Sequence, residues 1–230
     1  MTPEALVTGG PIRVLSLAGA GEVLVLSFAS IGHDPQRPPA PEFIGTATDG
    51  GRPALFICDE SRSWGQAAGF LPALEAAIAA VRMRQHITRI VALGQSMGAS
   101  MALRAAAHLP IEAVLAFGPQ SFLGPDEGRW QPWSARLLRP LEPPAPPRAG
   151  QHLVLMHGLA DDRAQALGFA PSDGLDHLLF PGRTHSALCP HLRQRGTLKG
   201  LLASLIAGDR RRLIRIAASA GGHLRRQGPL

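Results

Sequence analysis

An apolar run, Ile90-Val91-Ala92-Leu93, ends directly in Gly94-Gln95-Ser96-Met97-Gly98, and an alanine-rich stretch, residues 99–108, follows at once. The run reads as a buried strand and the stretch as a helix, so the pentapeptide is a strand-to-helix turn. A turn that sharp forces the central serine into a strained backbone conformation. It also demands glycine on both sides, because a Cβ there would meet the neighbouring strand or helix. The expected result is a hydroxyl raised above a helix N-terminus. Few arrangements constrain a chain more, since this one requires a strand in a sheet with a helix folding back across it.

Two later apolar runs end in chemistry-bearing residues. Residues 152–157 lead into Gly158-Leu159-Ala160-Asp161-Asp162, and Leu175–Phe180 leads into Pro181-Gly182-Arg183-Thr184-His185. A serine, a carboxylate and a histidine thus each follow a strand candidate, in that chain order, with one further strand candidate, residues 112–117, between the first and the second. A serine hydroxyl is a weak nucleophile until an imidazole takes its proton, and that imidazole needs a carboxylate on its other nitrogen to fix the tautomer. In this order and placement the chain resembles the α/β-hydrolases. The resemblance implies Ser96 as nucleophile and His185 as general base and then acid. It favours Asp161, by the Gly-x-x-Asp pattern, as the triad acid, with Asp162 as the alternative. It also implies an oxyanion hole from the Met97 N–H and a second N–H, that of Ala29 or Ser30, after the strand at residues 22–28.

The rest of the chain supports an α/β-hydrolase fold, a mostly parallel central sheet with helices on both faces, as one domain over residues 1–230. Seven strand candidates appear, including Ile12–Leu17, residues 22–28 and residues 54–57. Ala18-Gly19-Ala20-Gly21 between the first two suits a hairpin. The later runs are apolar at both parities, as strands buried on both faces require. Leu71, Leu74, Ile78 and Val81 recur at helical spacing within residues 66–84, where Pro72 places the helix start nearby.

Two stretches read as loops, residues 32–51 and a proline-rich, lid-like insertion at residues 118–150 carrying Trp130 and Trp133. These tryptophans are expected either to face the acyl or glycan group of a substrate or to anchor the segment on the core. Asp59-Glu60-Ser61-Arg62-Ser63-Trp64-Gly65, the Ser-Met-Gly turn and Ala116-Phe117-Gly118-Pro119-Gln120 resemble a group of bacterial hydrolase-like proteins often encoded with glycosyltransferase and surface-polysaccharide genes. That resemblance implies an esterase or acyl-transfer role on glycan or small acyl substrates, with Asp59, Trp64 and Gln120 at the rim of the cleft. The alternative reading makes Asp59 and Gln120 turn caps and Trp64 a packing residue beneath a loop. One departure from the hydrolase pattern is Phe28-Ala29-Ser30-Ile31-Gly32-His33, which replaces a plain His-Gly pair; a backbone oxyanion hole survives that change.

Other chemistries find little support. His185, Cys189 and His191 lack the second cluster that a zinc site needs, so no metal is expected. No phosphate-binding loop or dinucleotide fingerprint is present, and no cofactor is expected. Cys58 and Cys189 cannot build a disulfide framework, and no apolar run approaches spanning length, which points to a reduced, cytoplasmic setting. Residues 207–230 hold six arginines against Asp209, nearly the whole formal excess of +6. This tail reads as a terminal helix with a solvated basic face, able to touch an anionic membrane surface or an acidic partner. Lacking interleaved aromatics, it does not mark a nucleic-acid-binding protein.

The expected activity is cleavage of a carboxylic ester or thioester through an acyl-enzyme, on a small-molecule or glycan acyl ester. Acyl transfer to a hydroxyl and a noncatalytic binding or scaffold role are the alternatives. The last predicts broken triad geometry.

Overall fold

The computed structural model describes residues 3–8, 10–32, 34–124 and 128–225. His33 and Arg226 lie outside them. Nine strands form one sheet: β1 (Glu4–Val7), β2 (Ile12–Leu17), β3 (Val23–Phe28), β4 (Ala54–Asp59), β5 (Arg89–Gln95), β6 (Ala113–Phe117), β7 (His152–Gly158), β8 (Leu175–Phe180) and β9 (His223–Leu224). Their order is β1-β2-β4-β3-β5-β6-β7-β8-β9. Strands β3 to β8 run parallel, and β1, β2 and β9 are antiparallel to their neighbours.

Seven helices accompany the sheet: α1 (Ile44–Ala47), α2 (Phe70–Arg84), α3 (Met97–His108), α4 (Arg163–Leu167), α5 (His185–Gln194), α6 (Leu198–Ile206) and α7 (Arg210–Ser219). The double-parity apolar runs explain how the layers form. Leu24, Leu26, Ile90, Ala92, Val114, Ala116, Leu153 and Leu155 pack on one face against α2 and α3, through Leu74, Ile78, Met97 and Met101. The intervening Val25, Val91, Leu93, Leu115, Val154 and Met156 pack on the other, against Leu188, Leu192, Leu201, Leu205 and Leu213 of α5, α6 and α7. Successive side chains of a strand point to opposite faces, so each apolar run serves two cores.

The hairpin expected at residues 18–21 does not form. Strand β4 enters between β2 and β3, pairing antiparallel with the first and parallel with the second. Residues 18–21 therefore cross the end of β4, where the Ala20 N–H bonds Gly51 O at 2.9 Å. Helix α2 begins at Phe70, which puts Pro72 in the first turn, where no intrahelical donor is lost. The basic tail is a packed helix rather than a solvated one alone. Asp209 caps α7 by accepting from the Arg212 N–H, and Leu213 and Ala217 are wholly buried. Arg210 reaches back to Asp176 with two bonds at 2.7 and 2.8 Å. Among the described residues, no helix is long and apolar enough to cross a membrane.

Candidate active site

The site lies at the carboxyl ends of the parallel strands. Ser96, between β5 and α3, has φ 55° and ψ −123°, the strained conformation that the turn demands. The flanking glycines are required by close approach. A Cβ on Gly98 would collide with Phe28 O and Ala29 O, and one on Gly94 with the Gly98 carbonyl. The helix thereby starts hard against the end of β3, and the serine side chain is held rather than displayed. Ser96 is only 4% exposed.

His185, the first residue of α5 after β8, accepts at Nε2 from the Ser96 hydroxyl at 2.9 Å. Its Nδ1–H donates to Asp162 Oδ2 at 2.5 Å. The acid on the imidazole is therefore Asp162, not Asp161. After Gly158 the chain turns so that the Asp162 N–H bonds Gly158 O, and this sends the Asp162 carboxylate inward. Asp161 points elsewhere and accepts from the backbone N–H of His185 at 2.6 Å, which orients the histidine through its main chain. Gly118 (φ 57°) backs this pair, for a Cβ there would lie 2.9 Å from His185 Nδ1. The turned-away histidine expected of a noncatalytic protein is not seen; His185 faces Ser96.

On the β3 side, the Ala29 N–H donates to Ile57 O at 2.9 Å and so extends the ladder with β4. The Ala29 N–H is thus engaged in the sheet, and of the three expected donors Ser30 and Met97 remain as candidates. Met97 opens α3, where N–H groups have no intrahelical acceptor. Ser30 is fixed by its hydroxyl on Glu42 Oε1 at 2.5 Å.

The residues expected at the cleft rim are placed differently. Asp59 is fully buried and organises the turn after β4, accepting from Ser61 Oγ, Ser63 N and Oγ, and Gly65 N. It belongs to the scaffold, because its carboxylate has no face toward the cleft. Trp64 is also fully buried, so it cannot line a rim. Its indole N–H donates to Gln120 Oε1 at 3.0 Å. Gln120 is buried as well, and its Nε2 lies 3.2 Å from Ser96 Oγ. Arg62, in the same turn as Trp64, donates to Ile31 O, Asp34 O and Arg37 O, so one loop braces both flanks of the serine.

The proline-rich segment covers the pair of catalytic type. Trp130 meets His185 edge-on, ring centroids 4.7 Å apart. Arg129 donates to Asp161 O at 2.6 Å and Oδ2 at 3.0 Å, and its charge sits 3.1 Å from Asp162 Oδ1 without hydrogen-bond alignment. Its ends are tied by a bridge between Leu123 and Leu141 and by Gln66, which bonds the backbone of Leu138 and Arg139. Trp133 packs against the core.

A buried polar chain holds the start of that segment. Pro119 O can only accept, so His157 Nε2 is the protonated nitrogen on it at 2.9 Å. His157 Nδ1 then accepts from His177 Nε2 at 2.8 Å. Both rings are neutral, with burial pushing His157 down to about 4 and His177 to about 2. Two contributors to the site carry little signal in the sequence: Ser100 offers only its spacing of one helical turn beyond Ser96, and Arg129 sits in a stretch without periodicity. Among the described residues no cluster of His, Cys, Asp and Glu is able to hold a metal.

No family model matches the chain, and no curated protein matches it in sequence. Solved structures do match. The capsule O-acetyltransferase of Neisseria meningitidis serogroup A superposes with a TM-score of 0.58 at 11% identity, over 82% of this chain and 90% of that one. A putative alpha/beta hydrolase of Agrobacterium tumefaciens gives 0.58 at 16% identity, over 89% and 97%. A serine hydrolase without a lid from Xanthomonas campestris gives 0.54 at 18% identity, over 86% and 91%. The chain has the α/β-hydrolase fold.

Proposed function

We propose that the protein is a serine hydrolase that cleaves a carboxylic ester or thioester through an acyl-enzyme on Ser96. The observation that carries this reading is the hydrogen-bonded line from Ser96 Oγ through His185 to Asp162, at 2.9 and 2.5 Å. Ser96 Oγ attacks the acyl carbonyl carbon while its proton passes to His185 Nε2. The carbonyl oxygen gains charge between the N–H groups of Met97 and Ser30, and Asp162 steadies the imidazolium. The bond from the carbonyl carbon to the leaving oxygen or sulfur then breaks, and His185 returns the proton to it. Water repeats the sequence on the acyl-enzyme: its proton goes to His185, and Ser96 leaves and is reprotonated.

A second reading replaces water with a hydroxyl acceptor on a glycan. It is favoured by the likeness to the capsule O-acetyltransferase and by the screening of the triad beneath Trp130. The bond changes on the enzyme are the same in both. Association of the basic tail with an anionic surface or acidic partner remains a proposal carried by Arg211, Arg212 and Arg215, all outside the buried face of α7.

The test is labelling with a fluorophosphonate, wild type beside Ser96→Ala and His185→Ala. Labelling of the wild type alone is expected, and a folded wild type that does not react would refute the assignment. Release of nitrophenol from p-nitrophenyl acetate, with and without a polysaccharide acceptor, then separates the two readings: an acceptor-dependent rate with acetylated glycan supports transfer.

A further inference from the structure

Gln120 is the one side chain besides His185 that hydrogen-bonds the Ser96 hydroxyl among the described contacts, and its direction is fixed. An indole N–H donates and never accepts, so the amide oxygen of Gln120 must be the atom facing Trp64 Nε1. That oxygen also accepts from Ser100 Oγ at 2.8 Å, while Ser100 Oγ accepts from the Gln120 backbone N–H at 2.9 Å. With the carbonyl end held twice, the NH2 end is turned to Ser96 Oγ at 3.2 Å and to Gly118 O at 3.4 Å. Trp64, Ser100 and Gln120 are all buried. A buried amide is unfavourable unless each of its polar atoms is bonded, and a leucine would fill the space with no such requirement.

The position is as informative as the bonds. The strand before Gln120, β6, flanks β5 on the side opposite β3, so this donor stands across Ser96 from Ser30. It addresses the nucleophile oxygen itself and not the carbonyl oxygen.

We propose that Gln120 is a catalytic residue, a neutral donor to Ser96 Oγ, and that Trp64 and Ser100 are the positioning residues that aim it. This rests on the reading of Ser96 as the nucleophile. With one lone pair of Oγ engaged by Gln120, the hydroxyl proton is directed at His185 Nε2. The same bond steadies the charge on Oγ during attack and again when Oγ leaves the acyl-enzyme. No proton moves through Gln120; its N–H bonds are intact before and after.

The experiment compares second-order rates of fluorophosphonate labelling between pH 5 and 9 for wild type, Gln120→Leu, Gln120→Glu, Trp64→Phe and the double variant Trp64→Phe/Gln120→Leu. Loss of one preorganised donor in such a site slows reaction by roughly a hundredfold. We expect a loss of about 10- to 100-fold for Gln120→Leu and a smaller one for Trp64→Phe, whose amide is freed to turn. The double variant should be no slower than Gln120→Leu. Gln120→Glu should recover toward the wild-type rate as pH falls, because a protonated carboxyl donates and a carboxylate does not. Should Gln120→Leu fail to fold, Trp64→Phe, which keeps the volume nearly unchanged, carries the comparison. A wild-type rate in folded Gln120→Leu, or in folded Trp64→Phe where Gln120→Leu does not fold, overturns the proposal. So do losses that multiply in the double variant, as packing damage would. Labelling of wild type with no change in the variants overturns this role alone, whereas an unreactive wild type overturns the nucleophile and this role together.

Discussion

The turn around Ser96 and the segment from Gly118 to Gly150 both hold the Ser96–His185–Asp162 line in place, yet they do so by different means. The turn is set by main-chain sterics: Gly98 lies against Phe28 O and Ala29 O, and the serine takes φ 55° because no other path joins β5 to α3. The segment is set by side chains, with Trp130 on His185, Arg129 on Asp161, Gln66 on residues 138 and 139, and His157 on Pro119. Close main-chain contact, here between residues 70 apart in sequence, leaves no room for an alternative. Long side chains reach partners dozens of residues away and admit many. The site thus has a floor fixed by close main-chain packing and a roof fixed by side-chain contacts.

That contrast can be broken at Asp161 and Asp162, adjacent residues serving different masters. Asp162→Asn should lower the rate of acyl-enzyme formation by about 10⁴-fold, the size of effect seen when a triad imidazole loses its tautomer control. Asp161→Asn should lower it by less than about tenfold, since it loosens the backbone of His185 and the tie to Arg129 while leaving the imidazole paired. Burst kinetics on both variants decide it, and a larger loss at Asp161 would reverse the assignment.

A smaller effect sharpens the other half of the comparison. Gly98→Ala should destabilise the fold by about 2 kcal/mol through overpacking against β3. For a chain of this size that lowers Tm by roughly 4–8 °C. Calorimetry that showed no shift would mean that the turn has slack.

The last effect concerns the root of the roof and appears only on acidification. His157 is neutral in the fold, with its ionisation pushed from 6.5 to about 4. Between those values the unfolded chain binds a proton that the native protein refuses, so stability is full above pH 6.5 and falls as pH drops toward 4. Tm should decline steadily from pH 7 to pH 5. A flat profile would show that the His157–His177 pair does not hold its neutral state.

The same distinction explains what was legible in the sequence. Apolar runs at both parities gave the parallel strands to within a residue or two at most ends, and the Gly-x-Ser-x-Gly turn gave the place and strained backbone of Ser96, because each is a local rule. The place of β4 was not legible, since the gap at residues 18–21 suits a hairpin or a crossing equally well. Which of two successive aspartates turns inward depends on one backbone bond to Gly158. Trp64 and Gln120, 56 residues apart, stood out individually, but only the folded sheet brings indole, amide and serine into one line. The short edge strands β1 and β9 left no pattern at all, being too brief for a period to register.

Finally, Ser96 and His185 are 89 residues apart, and the histidine follows β8, which pairs with β7. During synthesis the strained turn can form as soon as β3, β5 and α3 are together, but its hydroxyl then has no proton acceptor. Any reactivity that depends on His185 therefore waits on β8 and α5, not on the turn alone. A chain that stops short of residue 185 carries Ser96 as an alcohol without its imidazole partner.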